Sequence, residues 1–305
     1  VRFRDSNVLG INRILDVEAS GSLRSRGLEV DLIDPWILGS KTRVSLGAAW
    51  LFREEPTFDR TTIRFDATAQ RDLGGRWRLR AGYELELEEA TNVRGELTAE
   101  DREGFVRTAG IFGELRYDGR DDPFLPRQGT LLNGRVFWSA PALAADLHYL
   151  ELEASAVTYR ELDADTVLAV GGSLRTRAPL DGADTLPVQQ RYFLGGESSV
   201  RSFEEQELSP VDATGTAVGG LTALEGHVEL RRRLIKDLHG ALFYDVGLVA
   251  RRALSLDAVA GHAVGVGLRY YLPIGPIRID FAYGPGERYA ANSRWALHAG
   301  FGFSF

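Results

Sequence analysis

Apolar and polar residues alternate with a period of two along almost the whole chain. In 78–88, Leu79, Ala81, Tyr83, Leu85 and Leu87 fall on one side, and Arg78, Arg80, Gly82, Glu84, Glu86 and Glu88 on the other. Successive side chains of a strand point to opposite faces, so this segment is a strand with one greasy and one charged face. The parity continues in 262–272, where Val264, Val266, Leu268, Tyr270 and Leu272 oppose Ala263, Gly265, Gly267, Arg269 and Tyr271. In 276–284, Ile277, Ile279, Phe281 and Tyr283 oppose Arg278, Asp280, Ala282 and Gly284. At the end of the chain, Trp295, Leu297, Ala299, Phe301, Phe303 and Phe305 oppose His298, Gly300, Gly302 and Ser304. Segments 13–23, 41–54, 60–72, 103–118, 129–139, 147–160, 165–177, 224–235 and 240–250 show the pattern less cleanly. No amphipathic helix longer than about three turns is legible.

The sum is roughly fifteen strands of about 10–14 residues, joined mostly by short turns. Soluble sandwiches use shorter strands, about 5–6 residues. A tilted strand crossing a bilayer needs about 9–11. Periodicity alone does not separate the two, because the charged face is solvent in a sandwich and lumen in a membrane barrel. Strand length, strand number and meander-like spacing favour an all-β, transmembrane antiparallel β-barrel. It is expected as a single domain over 1–305, since no linker, low-complexity run or helical repeat interrupts it. One stretch breaks the short-turn rule. Residues 179–220 carry no sustained strand pattern, and connections of that length inside a domain are usually functional or disordered.

Averaged over its 305 residues, the chain looks like a soluble acidic protein, with 44% hydrophobic residues and net charge −7. The negative balance argues against a nucleic-acid partner. With no Cys there is no disulfide, thiol nucleophile or Cys-ligated metal. With no Met and no signal peptide at Val1, a processed chain or a fragment is expected. No run of 18 apolar residues is present, so no transmembrane helix is predicted.

Four ordered motifs point to a family. Residues 191–203, RYFLGGESSVRSF, resemble the long-loop signature of the BamA/TamA superfamily of outer-membrane assembly and translocation barrels. Tyr192, Phe193, Gly195 and Gly196 match its [FY]-x-G-G element. Val200, Arg201 and Phe203 match its V-R-G-[FY] element, with Ser202 where the family has Gly. Residues 117–129, YDGRDDPFLPRQG, are similar to the family's Y-D-x-R-D-x…P-x-x-G strand and turn. Residues 218–249 and 265–281 (GVGLRYYLPIGPIRIDF) are similar to the strands that follow its loop. The resemblance implies a barrel of about sixteen strands, about fifteen of them visible here, with the loop of about 179–220 folded into the lumen. It implies that VRFRDSNVLG is the second strand, and that the first strand and the periplasmic POTRA repeats lie upstream of Val1.

Arg201 is the sharpest site candidate. A guanidinium is always charged and binds carboxylates in a bidentate way, so in a lumen it needs an acidic partner. By parity Glu229 and Asp245 point inward on the two strands after the loop, and either or both qualify. The resemblance implies the same lock. The bland alternative is one more surface arginine, contributing about 0–1 kcal/mol. The second candidate is the C-terminus. His298, Gly300, Phe303 and Phe305 match the polar-x-Gly-x-x-aromatic-x-aromatic ending of bacterial outer-membrane barrels. An exposed edge there is open to strand addition, and Gly300 and Gly302 weaken pairing. The bland alternative is an ordinary last strand.

Other clusters read as structure. Asp118, Asp121 and Asp122, and Asp163 with Asp165, fit turn chemistry better than metal or carboxylate-pair catalysis. Gly196-Glu197-Ser198-Ser199-Val200 lacks the second Gly of a nucleophile elbow. The five His are scattered. Trp36, Trp50, Trp77, Trp138 and Trp295 suit either an interfacial girdle or core packing.

The reading is a non-enzymatic, cofactor-free and metal-free integral protein of the bacterial outer membrane. It folds and inserts β-barrel proteins there. The alternatives are a polypeptide or lipid translocation pore of the same superfamily, or a passive porin. The implied partners are outer-membrane lipids and unfolded β-barrel clients. Accessory lipoproteins, or a periplasm-spanning partner reached through the upstream repeats, are further expectations.

Overall fold

The structure is a computed structural model that describes residues 1–8, 10, 12–94, 104–255, 257–272, 275–285 and 294–302. Its strands are β1 (Arg2–Val8), β2 (Arg13–Gly21), β3 (Ser25–Asp34), β4 (Thr42–Glu54) and β5 (Asp59–Gly74). Next come β6 (Trp77–Thr91), β7 (Val106–Asp118), β8 (Gly129–Ser139), β9 (Tyr149–Asp163) and β10 (Thr166–Pro179). The last five are β11 (Thr222–Ile235), β12 (Leu238–Ala250), β13 (Ala258–Leu272), β14 (Gly275–Tyr283) and β15 (Trp295–Phe301). They form one sheet whose order is the chain order, an antiparallel meander. Regular helix is limited to 3-10 turns such as Val188–Gln190 among the described residues.

The periodicity locates these strands to within a few residues, with two exceptions: β1, which only the family resemblance marks as a strand, and β3. β3, SRGLEVDLID, opens on Ser25, Arg26 and Gly27 and has the adjacent apolar pair Leu32 and Ile33 before its last residue Asp34, so its alternation spans only the middle. Its pairing with β4 over the full length and with β2 over Arg26–Ile33 supplies what the local pattern lacks.

Parity sorts the side chains as expected. Leu242, Tyr244, Val264, Val266, Leu268, Tyr270, Ile277, Ile279 and Phe281 are exposed, whereas Glu229, Asp245, Arg269, Arg278 and Asp280 are buried. An exposed apolar band opposite a buried charged face inverts the ordinary soluble pattern and is that of a sheet facing lipid. All five Trp are exposed, so they belong to the outer surface and not to a core.

The chain groups into two compact units. One comprises Val1–Arg116, Gly134–Leu152 and Arg177–Gln190, and the other Tyr117–Asn133, Glu153–Thr176 and Arg191–Phe305. In the first, buried Phe112 and Phe137 lie under the Arg135 guanidinium, which stands 5.0 and 5.2 Å from their ring centroids. In the second, one cluster joins Val157, Tyr159, Val167 and Ala169. Another joins Tyr192, Leu194, Val200, Phe203 and Leu208 to Ala223, Val249 and Ala263.

The acidic turns act as turns. Asp121 Oδ1 accepts the backbone N–H groups of Arg127 and Gln128 at 3.0 and 3.1 Å, and Asp122 Oδ1 those of Phe124 and Leu125 at 2.7 and 2.9 Å. Asp163 Oδ1 accepts Asp165 N at 2.8 Å.

The exposed band predicts a depth-dependent cost. Val266→Arg, near the middle of β13, should lower the free energy of folding into vesicles by about 2–4 kcal/mol, and Ile235→Arg, at the end of β11, by about 0–1 kcal/mol. Denaturant titration followed by the gel mobility of unheated samples measures both. Equal costs, or a larger cost at 235, contradict the assigned faces.

Candidate functional site

Within the segment between β10 and β11, residues 192–208 fold back as a narrow hairpin on the polar face of β11–β14. Leu194 and Leu208 exchange backbone hydrogen bonds at 3.0 Å, and Gly196 N donates to Phe203 O at 2.9 Å. Gly195 and Gly196 take φ of +105° and +95°, which L side chains adopt only under strain, and so let the hairpin close. Ser199 Oγ accepts Gly195 N at 3.2 Å and donates to Glu225 Oε2 at 2.6 Å.

The wall beneath is hollowed by small residues. A Cβ on Gly247 would stand 2.5 Å from Val200 Cγ2, and one on Gly261 2.5 Å from Phe203 Cε2. With Ala223 and Ala263 these positions give the loop's apolar side chains their seat. Inward glycines therefore serve close packing against the loop.

Arg201 occupies the tip, with its side chain 0% exposed. Its Nε and Nη2 donate to Asp245 Oδ2 and Oδ1, both at 2.8 Å, in a bidentate fork. Nη1 donates to Glu229 Oε2 at 2.9 Å and lies 3.6 Å from Asp280 Oδ2. The guanidinium carbon sits 3.4 Å from the centroid of the Phe243 ring. Burial pulls the Arg201 pKa down, but the Asp245 and Glu229 carboxylates outweigh it and hold it above the ordinary value.

Register explains why these groups meet. Glu229 pairs Phe243 and His227 pairs Asp245 across β11–β12. Phe243 pairs Gly265 across β12–β13, and Gly267 pairs Asp280 across β13–β14. Two glycines thus leave space around Phe243 and Asp280. The wall supplies more charge than parity singled out. Arg231 Nε donates to Glu229 Oε1 at 2.6 Å, and Arg269 Nη2 to Glu229 Oε2 at 3.0 Å. Arg269 Nη1 also pairs with Asp280 Oδ1 at 2.6 Å, and His227 Nδ1 lies 3.1 Å from Asp245 Oδ1. Arg278 pairs with Asp280 at 3.4 Å and with Glu197 of the loop at 3.7 Å. Arg201, Arg231, Arg269 and Arg278 are thereby matched by Glu197, Glu229, Asp245 and Asp280. Parity places Arg269, Arg278 and Asp280 on the inward face. Which inward charges stand level with the loop tip depends on register between strands.

Ser202 does not take a positive φ, so the residue in place of Gly carries no left-handed strain. Its hydroxyl donates to His262 O at 2.6 Å. In β15, His298 Nε2 donates to Arg201 O at 2.8 Å. A Cβ on Gly300 would press on the Glu197 carboxylate and stand 3.1 Å from Arg278 Nε, so this glycine also makes room for the loop. Phe303 and Phe305 lie outside the described residues, as do Pro273 and Ile274 of the motif over 265–281.

An antiparallel meander with an apolar outer band, a charged opposite face and a loop seated on that face defines an integral outer-membrane β-barrel. The chain belongs to the Omp85 superfamily, whose domain matches residues 7–305. It is 26% identical over 211 residues to the outer membrane protein assembly factor BamA of Nitratidesulfovibrio vulgaris, a match covering 67% of this chain and 26% of that protein. Among solved structures it is similar to BamA from Haemophilus ducreyi lacking POTRA domains 1–3, with TM-score 0.81, 15% identity, and 98% of this chain and 65% of that one covered. It is also similar to CdiB from Acinetobacter baumannii, with TM-score 0.61, 14% identity, and 97% and 54% covered. The chain thus spans about a quarter of the length of the curated relative. The similarity to the solved structures establishes the barrel fold.

Removing one partner from a buried, hydrogen-bonded charge cluster leaves its counter-charges unpaired, at about 3–5 kcal/mol. Arg201→Ala should therefore destabilise the folded protein by about that amount, and Arg201→Lys by more than half as much, since an ammonium cannot make the bidentate fork. Midpoints of urea denaturation in detergent read both. A midpoint unchanged in Arg201→Ala returns Arg201 to the status of an ordinary surface arginine.

Proposed function

We propose that this chain is the barrel of a factor that folds and inserts β-barrel proteins into the bacterial outer membrane. The observation that carries the reading is the loop 191–203, seated through Arg201 on a charge-balanced wall, in a chain related over two thirds of its length to an assembly factor BamA. A passive pore has no need of a buried ionic clamp holding a long loop against its inner face. The same loop touches the last strand through His298, so the state of the loop and the pairing of β15 are linked.

The work is not covalent. Insertion is limited by moving unpaired backbone N–H and C=O groups past lipid, where each unsatisfied group costs several kcal/mol. An exposed strand edge satisfies those groups by pairing with the incoming strand. A clamped loop keeps β11–β14, the strands next to β15, rigid while the edge exchanges partners. The partners in this reading are outer-membrane lipids, unfolded barrel clients and accessory subunits.

The test is reconstitution of the full-length protein in vesicles, with a urea-unfolded outer-membrane barrel added outside. Folding is read as the heat-modifiable, protease-resistant client. It should be at least about tenfold faster than in empty vesicles, with Arg201→Ala losing most of the gain while the protein itself stays folded. No acceleration overturns the reading. Client crossing to the vesicle interior then points to translocation, and a steady ion conductance to a passive porin.

A further inference from the structure

The long loop is gripped at a second place by different chemistry. In the unit that contains β6, the turn Val188–Gln190 is buried, and Gln190 is only 2% exposed. Both ends of its amide are engaged by strands. Nε2 donates to Glu88 Oε2 of β6, and Oε1 accepts the Tyr149 hydroxyl of β9 at 3.3 Å. Its backbone carbonyl accepts Arg177 Nη1 of β10 at 2.7 Å. Each strand group is fixed in turn. Glu88 accepts Thr62 Oγ1 at 3.4 Å and has Arg60 Nη1 at 3.8 Å. Arg177 Nε donates to Glu151 Oε2 at 2.5 Å, and Glu151 Oε1 accepts Arg135 Nη1 at 2.8 Å. Arg135 Nη2 then reaches Glu84 at 3.1 Å.

A glutamine in a solvent-facing loop makes no such set of bonds. Here one amide is held by side chains of β6 and β9 and one carbonyl by β10. The Glu88 partner lies 102 residues away in the chain, so the contact is tertiary and not a by-product of the local turn. Among the described contacts, none of these groups bonds to Arg201, Glu229 or Asp245. Among the described hydrogen bonds the two grips share no residue, so each can be removed while the other is left in place.

We propose that Gln190 is a second positioning residue of the loop. Glu88, Tyr149 and Arg177 fix the limb Leu186–Gln190 to the wall whether or not Arg201 is engaged. Release of the tip then frees the residues after Gln190 and leaves the limb before it in place. The inference concerns how the loop is held and does not depend on the assembly reading.

The absence of cysteine makes the test direct. Val188→Cys and Val200→Cys each place a single buried thiol within these 305 residues, one at each grip, in the refolded full-length protein with any cysteine outside this chain replaced by serine. The rate of maleimide labelling reports local opening. A hydrogen bond to a charged group controls opening by about tenfold or more, so Gln190→Ala should raise labelling at 188 by at least about tenfold and leave 200 within about twofold. Arg201→Ala should do the reverse. Gln190→Glu sets two carboxylates against each other and should also open 188. Adding Glu88→Gln restores one carboxylate–amide pair and should return labelling to the slow rate, a rescue that mere packing would not show. The proposal is overturned if either single variant opens both positions together, if 188 stays protected in Gln190→Ala, or if the exchanged pair fails to rescue. Where Gln190→Ala does not refold, Gln190→Glu with and without Glu88→Gln decides alone.

Discussion

A fully buried guanidinium governs the second unit of this protein. Arg201 has left water entirely, and an isolated charge so placed would not be tolerated. Its presence obliges Asp245 and Glu229 to face it, and their charge in turn obliges Arg231, Arg269 and His227 to face them. Asp280 and Glu197 bring the cluster to balance through Arg269 and Arg278. The cluster fixes specificity more than it adds net stability, because pairing mostly offsets desolvation. A loop displaced by one residue would leave several charges unpaired at once. That is how a connection of some forty residues between β10 and β11 keeps one conformation.

The same requirement shapes the uncharged parts of the wall. Gly247, Gly261 and Ala263 are small because Val200, Phe203 and Leu208 press into them. Gly265 and Gly267 are bare because Phe243, Asp280 and Arg269 need the space. In a sheet exposed to lipid on its other face, the outward positions are free to be large, and the asymmetry of side-chain size follows directly. His298 and Gly300 extend the arrangement to the last described strand, one by a hydrogen bond to the loop and the other by leaving room for Glu197.

Much of this was legible in the residues. Alternation placed nearly every strand and sorted lipid-facing from inward-facing side chains, because the pleat has period two whatever the tertiary context. Arg201, Glu229 and Asp245 could be singled out together, since a motif supplied the cation and parity the acids. β3 escaped because its alternation is short and its existence rests on pairing with both neighbours. Arg231, Arg269 and Asp280 could be placed on the inward face but not at the height of the loop tip. Gln190 gave no signal at all. An amide in a loop is unremarkable until the strands carrying Glu88, Tyr149 and Arg177 surround it.

The opposition of an apolar and a charged face, the long irregular connection and the cation at its tip are properties of the sequence itself. They depend on side-chain order along one strand or one loop, which is local. Which carboxylates the cation meets, which glycines lie beneath the loop, and that the loop is gripped twice were decided by the tertiary structure. Those facts depend on register and on contacts between residues tens to a hundred positions apart, and no local pattern encodes them.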